Sequence, residues 1–204
     1  MIRVGLLGGA FNPPHHGHLR LARLALATLD LDELRVVPTA LSPHKPATEG
    51  PSDEVRLRLI EEAFAGLDAR CVIEPLELQR GGASYTVDTL EALCLREPDA
   101  RWILIMGSDQ WQAFPSWRNP SRILELASLA VAPRPGHPLI SGQFGLVPSA
   151  AWSGRPGEWL WLPSTDLDLA STTLRSELKA KVDPQPAGLP DPVLGIIRSE
   201  KLYR

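Results

Sequence analysis

Short, largely apolar runs alternate along this chain with segments whose apolar residues recur every three or four positions. Ile2 to Leu7 reads as a buried strand, and Leu19 to Leu29 as an amphipathic helix. Leu34-Arg35-Val36-Val37 predicts a second strand, closed by Pro38. Ser52 predicts an N-cap, with Asp53 and Glu54 complementing the helix dipole in the first turn. Leu57, Ile60, Phe64 and Leu67 follow as one apolar face that ends at Gly66. Cys71-Val72-Ile73 predicts a short strand. Ser84 or Thr86 predicts the cap of a helix carrying Val87, Leu90 and Leu93, stopping before Pro98. Trp102 to Met106 is the most strand-like run and ends at Gly107; Ser121 to Ala127 reads as helix, and Leu129 to Ala132 as another buried strand.

From Pro133 to Pro163 the pattern weakens among repeated Pro and Gly, leaving loop and one short strand near Trp159 to Leu162. A capped helix starts around Ser171-Thr172-Thr173 and carries Leu174 and Leu178. Asp183 to Pro192 is turn-like, and a last helical piece spans Val193 to Leu202. Continuous apolar strands separated by amphipathic helices predict an α/β fold with a doubly wound parallel sheet, in one domain covering 1–204.

Composition narrows the function classes. The chain has 204 residues, 44% of them hydrophobic and 22% charged, as expected for a soluble globular protein. A net charge of −3 argues against general nucleic-acid binding, so any phosphate site must gather its positive groups locally. No apolar run reaches the length of a membrane span, Arg23 interrupting the best candidate, and no signal-peptide pattern opens the chain. Cys71 and Cys94 are isolated, which suits core positions in a reducing compartment. The expectation is a cytoplasmic protein without membrane contact. Periodicity reveals no interface patch, so it sets no oligomeric state.

The chemistry concentrates between the first strand and the first helix. Gly8-Gly9-Ala10-Phe11-Asn12-Pro13-Pro14-His15-His16-Gly17-His18 packs two glycines, two prolines and three histidines ahead of Leu19. In an α/β protein this turn lies at the carboxyl end of a strand, where nucleotide phosphates commonly sit. Gly8 and Gly9 let backbone approach a ligand, Gly17 leaves space, and His15 and His18 fall on one side of a helical first turn. His16 is expected at the surface. The segment has neither the GK[ST] of a P-loop nor the GxGxxG fingerprint. Paired histidines could also bind metal, but no Cys or acidic cluster accompanies them, and HEXXH is absent.

GGAFNPPHHGH resembles the GG(T/S/A)F(D/N)PxHxGH signature of the HxGH nucleotidyltransferase superfamily. Ala170-Ser171-Thr172-Thr173-Leu174-Arg175 resembles its second signature, (I/S)SSTxxR. Further segments resemble the bacterial nicotinate-mononucleotide adenylyltransferases within that group. They are Val37-Pro38 through Pro43-His44-Lys45, Ser84-Tyr85-Thr86-Val87-Asp88-Thr89-Leu90, Met106-Gly107-Ser108-Asp109 with Trp117, Val131 to Gly136 with its Arg134-Pro135-Gly136, and Lys201-Leu202-Tyr203. The resemblance spans essentially the whole chain and implies a Rossmann-like nucleotidyltransferase fold.

It also implies roles. His15 and His18 would contact the ATP phosphates, His18 nearest the α-phosphate, with Gly8, Gly9, Ala10 and Phe11 lining the ATP side. Lys45 would place a point charge where the two substrates meet. Ser171, Thr172 and Arg175 would hold the β- and γ-phosphates, and Asp109 after Gly107 would accept from a ribose hydroxyl. Asn12, Tyr85, Thr86, Trp117 and Arg134 would belong to the nicotinate mononucleotide, Thr86 offering its backbone N–H to the pyridine carboxylate and Trp117 stacking on the ring. Each has a plainer alternative: Asp109 and Ser171 to Thr173 as helix caps, Trp117 as core, Lys45 as a solvated loop residue. Ala10 stands where the signature often has a hydroxyl residue, and Asn12 where it often has Asp.

The implied reaction joins nicotinate mononucleotide and ATP, with Mg²⁺ on the triphosphate, to give the dinucleotide and pyrophosphate. The nearest rival uses nicotinamide mononucleotide. A rival of another class is a nucleotide-binding regulatory protein without turnover.

Overall fold

The computed structural model describes residues 1–42, 50–138, 140, 142, 148, 152–164, 169–180 and 188–204. Six strands form one sheet: β1 (Arg3–Gly9), β2 (Glu33–Pro38), β3 (Cys71–Ile73), β4 (Arg101–Gly107), β5 (Ala127–Ala132) and β6 (Trp159–Trp161). Every pairing is parallel and the order is β3-β2-β1-β4-β5-β6. This is the doubly wound arrangement that the alternating pattern predicts. Its strand order reverses between β1 and β4, and ligands of such sheets bind in the crevice beyond the carboxyl ends at that point.

The strands are apolar on both faces because both faces are covered. Leu7, Ile103, Ile105, Ala130 and Ala132 face one core, while Val4, Leu6, Trp102, Leu104, Met106, Leu129 and Val131 face the other. The first core is closed by α1 (His16–Thr28), α2 (Asp53–Phe64), α7 (Ser171–Ala180) and α8 (Asp191–Ser199), through residues such as Leu19, Leu26, Ile60, Leu174 and Val193. The second is closed by α4 (Thr86–Arg96), α5 (Ser108–Ala113) and α6 (Pro120–Leu126), through Leu90, Trp111 and Ile123. A short α3 (Leu76–Arg80) precedes α4, and a 3₁₀ turn (Phe114–Ser116) follows α5.

Local chemistry explains several boundaries. Ser52 caps α2 by accepting the Val55 N–H. The buried face of α2 runs through Leu59, Ile60, Ala63 and Phe64, so Leu59 takes the core position that spacing gave to Leu57. Neither Ser84 nor Thr86 caps α4. The N-cap is Tyr85, whose side chain makes no cap bond, and the Ser84 hydroxyl instead accepts the Ala40 N–H across 3.1 Å. That bond ties the segment before α4 to the one after β2, reinforced by the Ser84 N–H donating to the Leu41 carbonyl. Cys71 and Cys94 are half-buried and unpaired; desolvation pushes the Cys71 thiol up to about 11, which leaves it unreactive as a nucleophile.

Candidate active site

The Gly8 to His18 turn leaves β1 and enters α1 beside the end of β4, at the reversal of the sheet order. Among the described residues nothing lies within 4 Å of a Cβ built at Gly8, and the residue is exposed. Phe11 adopts φ 45°, in the left-handed region, with its ring fully buried. The ring supports His18 at 4.7 Å between centroids and meets Phe64 edge-on. Its side chain is therefore core under the turn, and only its backbone is left for the ATP side, a correction to the expectation for this residue. Gly9 makes this possible, since a Cβ there would approach the Phe11 ring to 3.2 Å.

Three carbonyls of the turn are held by side chains from elsewhere in the chain. The Arg56 guanidinium donates to Ala10 O at 2.8 Å and also to Thr39 O at 2.7 Å. Arg175 donates to Asn12 O at 2.7 Å, and the Ser171 hydroxyl donates to Pro13 O at 3.0 Å. An anion site needs its backbone acceptors occupied elsewhere, and these bonds occupy them. They also join the two signatures, which lie roughly 160 residues apart in the chain. Arg56 is buried and bound to Asp53 as well, and sequence reading missed it. The only hint was an arginine on the apolar side of α2.

His15 and His18 stack at 3.7 Å with an angle of 27° between their planes. The His15 N–H donates to His18 Nδ1 at 3.2 Å, which places the proton of a neutral His18 on Nε2. Gly17 does not open a passage for ligand: a Cβ there would touch the His15 ring at 3.0 Å and Leu169 at 3.4 Å. The space belongs to His15. His16 is exposed, as expected.

His15 is buried, and among the described residues its Nδ1 has no partner. Burial first, then the Arg134 and His16 charges, hold its imidazole down to about 4. An unfolded histidine titrates near 6.5, so the folded chain resists protonation that the unfolded chain accepts. The resulting stability is present in full above about pH 6.5 and is lost as pH falls toward 4. Between pH 7 and pH 5 the native chain should lose about 2 kcal/mol more stability than a His15→Gln variant, read from denaturant midpoints. Equal losses in the two proteins would contradict this burial of a neutral ring.

At the end of β4 the site gains a second polar group. Arg134 donates to Asp109 at 3.0 Å and to the Leu169 carbonyl at 2.7 Å, bridging α5 to the segment before α7. The fully buried Ser108 hydroxyl accepts the Arg134 N–H and donates to His137 O, fixing the Arg134-Pro135-Gly136 turn. Asp109 Oδ1 is buried without a partner among the described residues, and a Cβ at Gly107 would lie 2.5 Å from it. Gly107 is thus required for Asp109 to sit there. Asp109 lies in the first turn of α5, whose N-cap is Gly107, and Asp109 is not that cap.

A third group lies at the start of α4. Thr86 is its first residue, so its N–H belongs to the set without intrahelical partners. The Arg118 guanidinium covers the Tyr85 ring at 4.6 Å and pairs with Asp88 at 3.7 Å. Trp117 is half-buried, packed edge-on against Phe114 at 5.4 Å. Tyr85 and Trp117 border the same core. Thr172 is exposed and accepts from Arg175 at 3.2 Å. Lys45 lies outside the described residues. Among the described residues no three His, Cys, Asp or Glu side chains gather as a metal site.

The sequence pattern of the cytidylyltransferase-like family matches residues 6–177, a span that begins in β1 and ends in α7. The chain belongs to this family. A relative from Hydrogenovibrio crunogenus, named a probable nicotinate-nucleotide adenylyltransferase, is 38% identical over 98% of this chain and 97% of its own. One of the same name from Albidiferax ferrireducens is 50% identical over 66% of this chain and 67% of its own. The fold is shared with Plasmodium falciparum nicotinic acid mononucleotide adenylyltransferase complexed with NaAD, at a TM-score of 0.81 and 16% identity, covering 100% of this chain and 98% of that one. Both signatures, joined by the Ser171 and Arg175 bonds, lie within the span that matches this family.

Proposed function

We propose that this chain transfers the adenylyl group of ATP to nicotinate mononucleotide, releasing nicotinate adenine dinucleotide and pyrophosphate. The observation that carries the reading is the pair of bonds from Ser171 and Arg175 to the Pro13 and Asn12 carbonyls. They hold the start of α7 against the histidine turn, so cationic and N–H donors from both motifs face one crevice. The identity to the adenylyltransferase relatives supports the choice of substrates.

In this reading the ATP phosphates lie over the turn, with His18 Nε2–H donating to an α-phosphate oxygen and the neutral His15 beside it. Thr172, Ser171 and Arg175 receive the departing phosphates, Arg175 turning its planar fork to two oxygens. Asp109 Oδ1 accepts from a ribose hydroxyl, which would satisfy its buried lone pairs. Arg134, which the resemblance gives to the mononucleotide, is bound to Asp109 and to Leu169 O, so it is assigned here with Asp109 to the ATP side instead. Tyr85, Thr86 and Trp117 take the mononucleotide, the α4 N-terminus meeting the pyridine carboxylate, while Asn12, whose side chain and carbonyl are both bound within the protein, serves by shaping the turn. Lys45 is assigned to the junction of the substrates by the resemblance alone.

The 5′-phosphate of the mononucleotide attacks the α-phosphorus in line. That phosphate is already ionised near neutral pH, so no strong base is required, and the rate rests on alignment and charge stabilisation. ATP would enter as its Mg²⁺ complex, the ion supplying charge neutralisation on the triphosphate when bound. Residues 1–204 act as a single nucleotidyltransferase domain. No helix among the described residues is long and apolar enough to cross a membrane, and a cytoplasmic enzyme fits its two unpaired cysteines.

A steady-state comparison tests the substrate. With saturating ATP and varied mononucleotide, kcat/KM for the nicotinate form should exceed that for the nicotinamide form by about tenfold or more, since helix N–H donors favour a carboxylate by about 1 kcal/mol or more. Preference for the amide would reassign the reaction. Absence of pyrophosphate with either mononucleotide would leave a nucleotide-binding protein without turnover.

A further inference from the structure

Leu202-Tyr203 resembles a family segment but has no part in the scheme above. The structure gives it one. Tyr203 is buried, with φ 59°, a left-handed conformation that a tyrosine adopts only when its surroundings hold it. Its hydroxyl donates to Asn12 Oδ1 at 2.6 Å, a buried bond across 191 residues of sequence. Asn12 is itself buried, and its amide is pressed against the Gly50 backbone, where a Cβ would come within 2.5 Å of Nδ2. The amide is therefore clamped between Tyr203 on one side and Gly50 on the other.

Asn12 occupies the centre of the histidine turn. Its own carbonyl receives Arg175, the next carbonyl receives Ser171, and Phe11 before it supports His18. Asn12 is thus held twice, its side chain by Tyr203 and its carbonyl by Arg175, which fixes the residue at the middle of the turn. The Tyr203 ring packs in the core formed by α1, α2, α7 and α8, so it is a rigid anchor rather than a mobile one. Leu202 packs against the same core, and its N–H donates to the Ile197 carbonyl, fixing the segment after α8.

We propose that Tyr203 is a positioning residue for adenylyl transfer, acting through Asn12 to hold the turn that carries His15 and His18. This rests on the function proposed above. Asn12 stands where the signature often has Asp, and either side chain offers Tyr203 an oxygen acceptor, so the device tolerates that exchange.

The test is a double-mutant cycle on the full chain, with kcat and both KM values measured for nicotinate mononucleotide and ATP. Tyr203→Phe should lower kcat about tenfold, because it removes one buried donor from a network. Its KM values should stay within about twofold, and its thermal transition should remain single and cooperative. In an Asn12→Ala background the same change should lower kcat by less than about twofold. If Asn12→Ala does not fold, Asn12→Ser, too short to reach the hydroxyl, takes its place in the cycle. Native turnover in Tyr203→Phe would overturn the proposal, and so would an undiminished tenfold loss when Asn12 is already truncated. Failure of the unmutated chain to form dinucleotide would instead reject the proposed reaction.

Discussion

His18→Ala should lower kcat by about 100-fold or more while leaving the KM values for ATP and the mononucleotide within a few fold. The asymmetry follows from what His18 does at each stage. The charge on the α-phosphate oxygens builds up as the new bond forms, so a donor aimed there is worth most in the transition state. The structure fixes which nitrogen donates. The His15 backbone N–H is bound to Nδ1, so Nε2 carries the hydrogen, and the stacked His15 ring and the tilted Phe11 ring together fix the plane of the imidazole. A glutamine or asparagine at this position would keep a donor but lose that stacked orientation, and should recover only part of the rate. Turnover within tenfold of native in His18→Ala would remove His18 from the reacting centre.

The second large effect is expected at Arg175. Arg175→Ala should lower kcat/KM for ATP by about 100-fold, and Arg175→Lys should recover less than tenfold of that. Arg175 has two tasks that a lysine cannot share. One arm of its guanidinium holds Asn12 O at 2.7 Å while the other reaches Thr172 at 3.2 Å. The same planar fork is proposed to meet the terminal phosphates, where a single ammonium offers charge without paired, parallel donors. An ammonium at 175 could satisfy either the turn or the triphosphate. A Lys variant with native kcat/KM would show that charge alone suffices, and that the fork is not used.

The parts of this fold that sequence made legible are those dictated by one element alone. β4 shows as Trp102 to Met106 because both of its faces are buried, which leaves no polar position to interrupt the run. α1 shows because Leu19, Ala22, Ala25 and Leu26 recur at helical spacing on its buried face. Ser52 shows as a cap because its role is local. α3 and α5 did not show, and their size explains it: with five and six residues, neither completes two turns, so no period can be read. Trp111, the apolar anchor of α5, is fully buried yet stands between polar neighbours.

The same distinction governs the site. His15, His18, Ser171 and Arg175 were legible because their spacing resembles two signatures. Arg56 was not, and Tyr203 showed only as part of a resembling segment with no role, because each acts by reaching a carbonyl or an amide in the turn from a distant part of the chain. An arginine inside a helix and a tyrosine after one give no local sign of such partners. Gly17 carried a legible sign that pointed the wrong way: a missing side chain suggested room for ligand, and the room is filled by His15. Lys45 lies outside the described residues, and its role is proposed on the resemblance alone.

The most direct measurement follows the α-phosphate. ATP labelled at that position is incubated with Mg²⁺, nicotinate mononucleotide and the full chain, and the products are separated and counted. The account predicts that the label enters a dinucleotide in equal amount to the pyrophosphate released, and that neither forms without the mononucleotide. Label recovered only as AMP or ADP, or left in ATP while the chain binds both substrates, would contradict it.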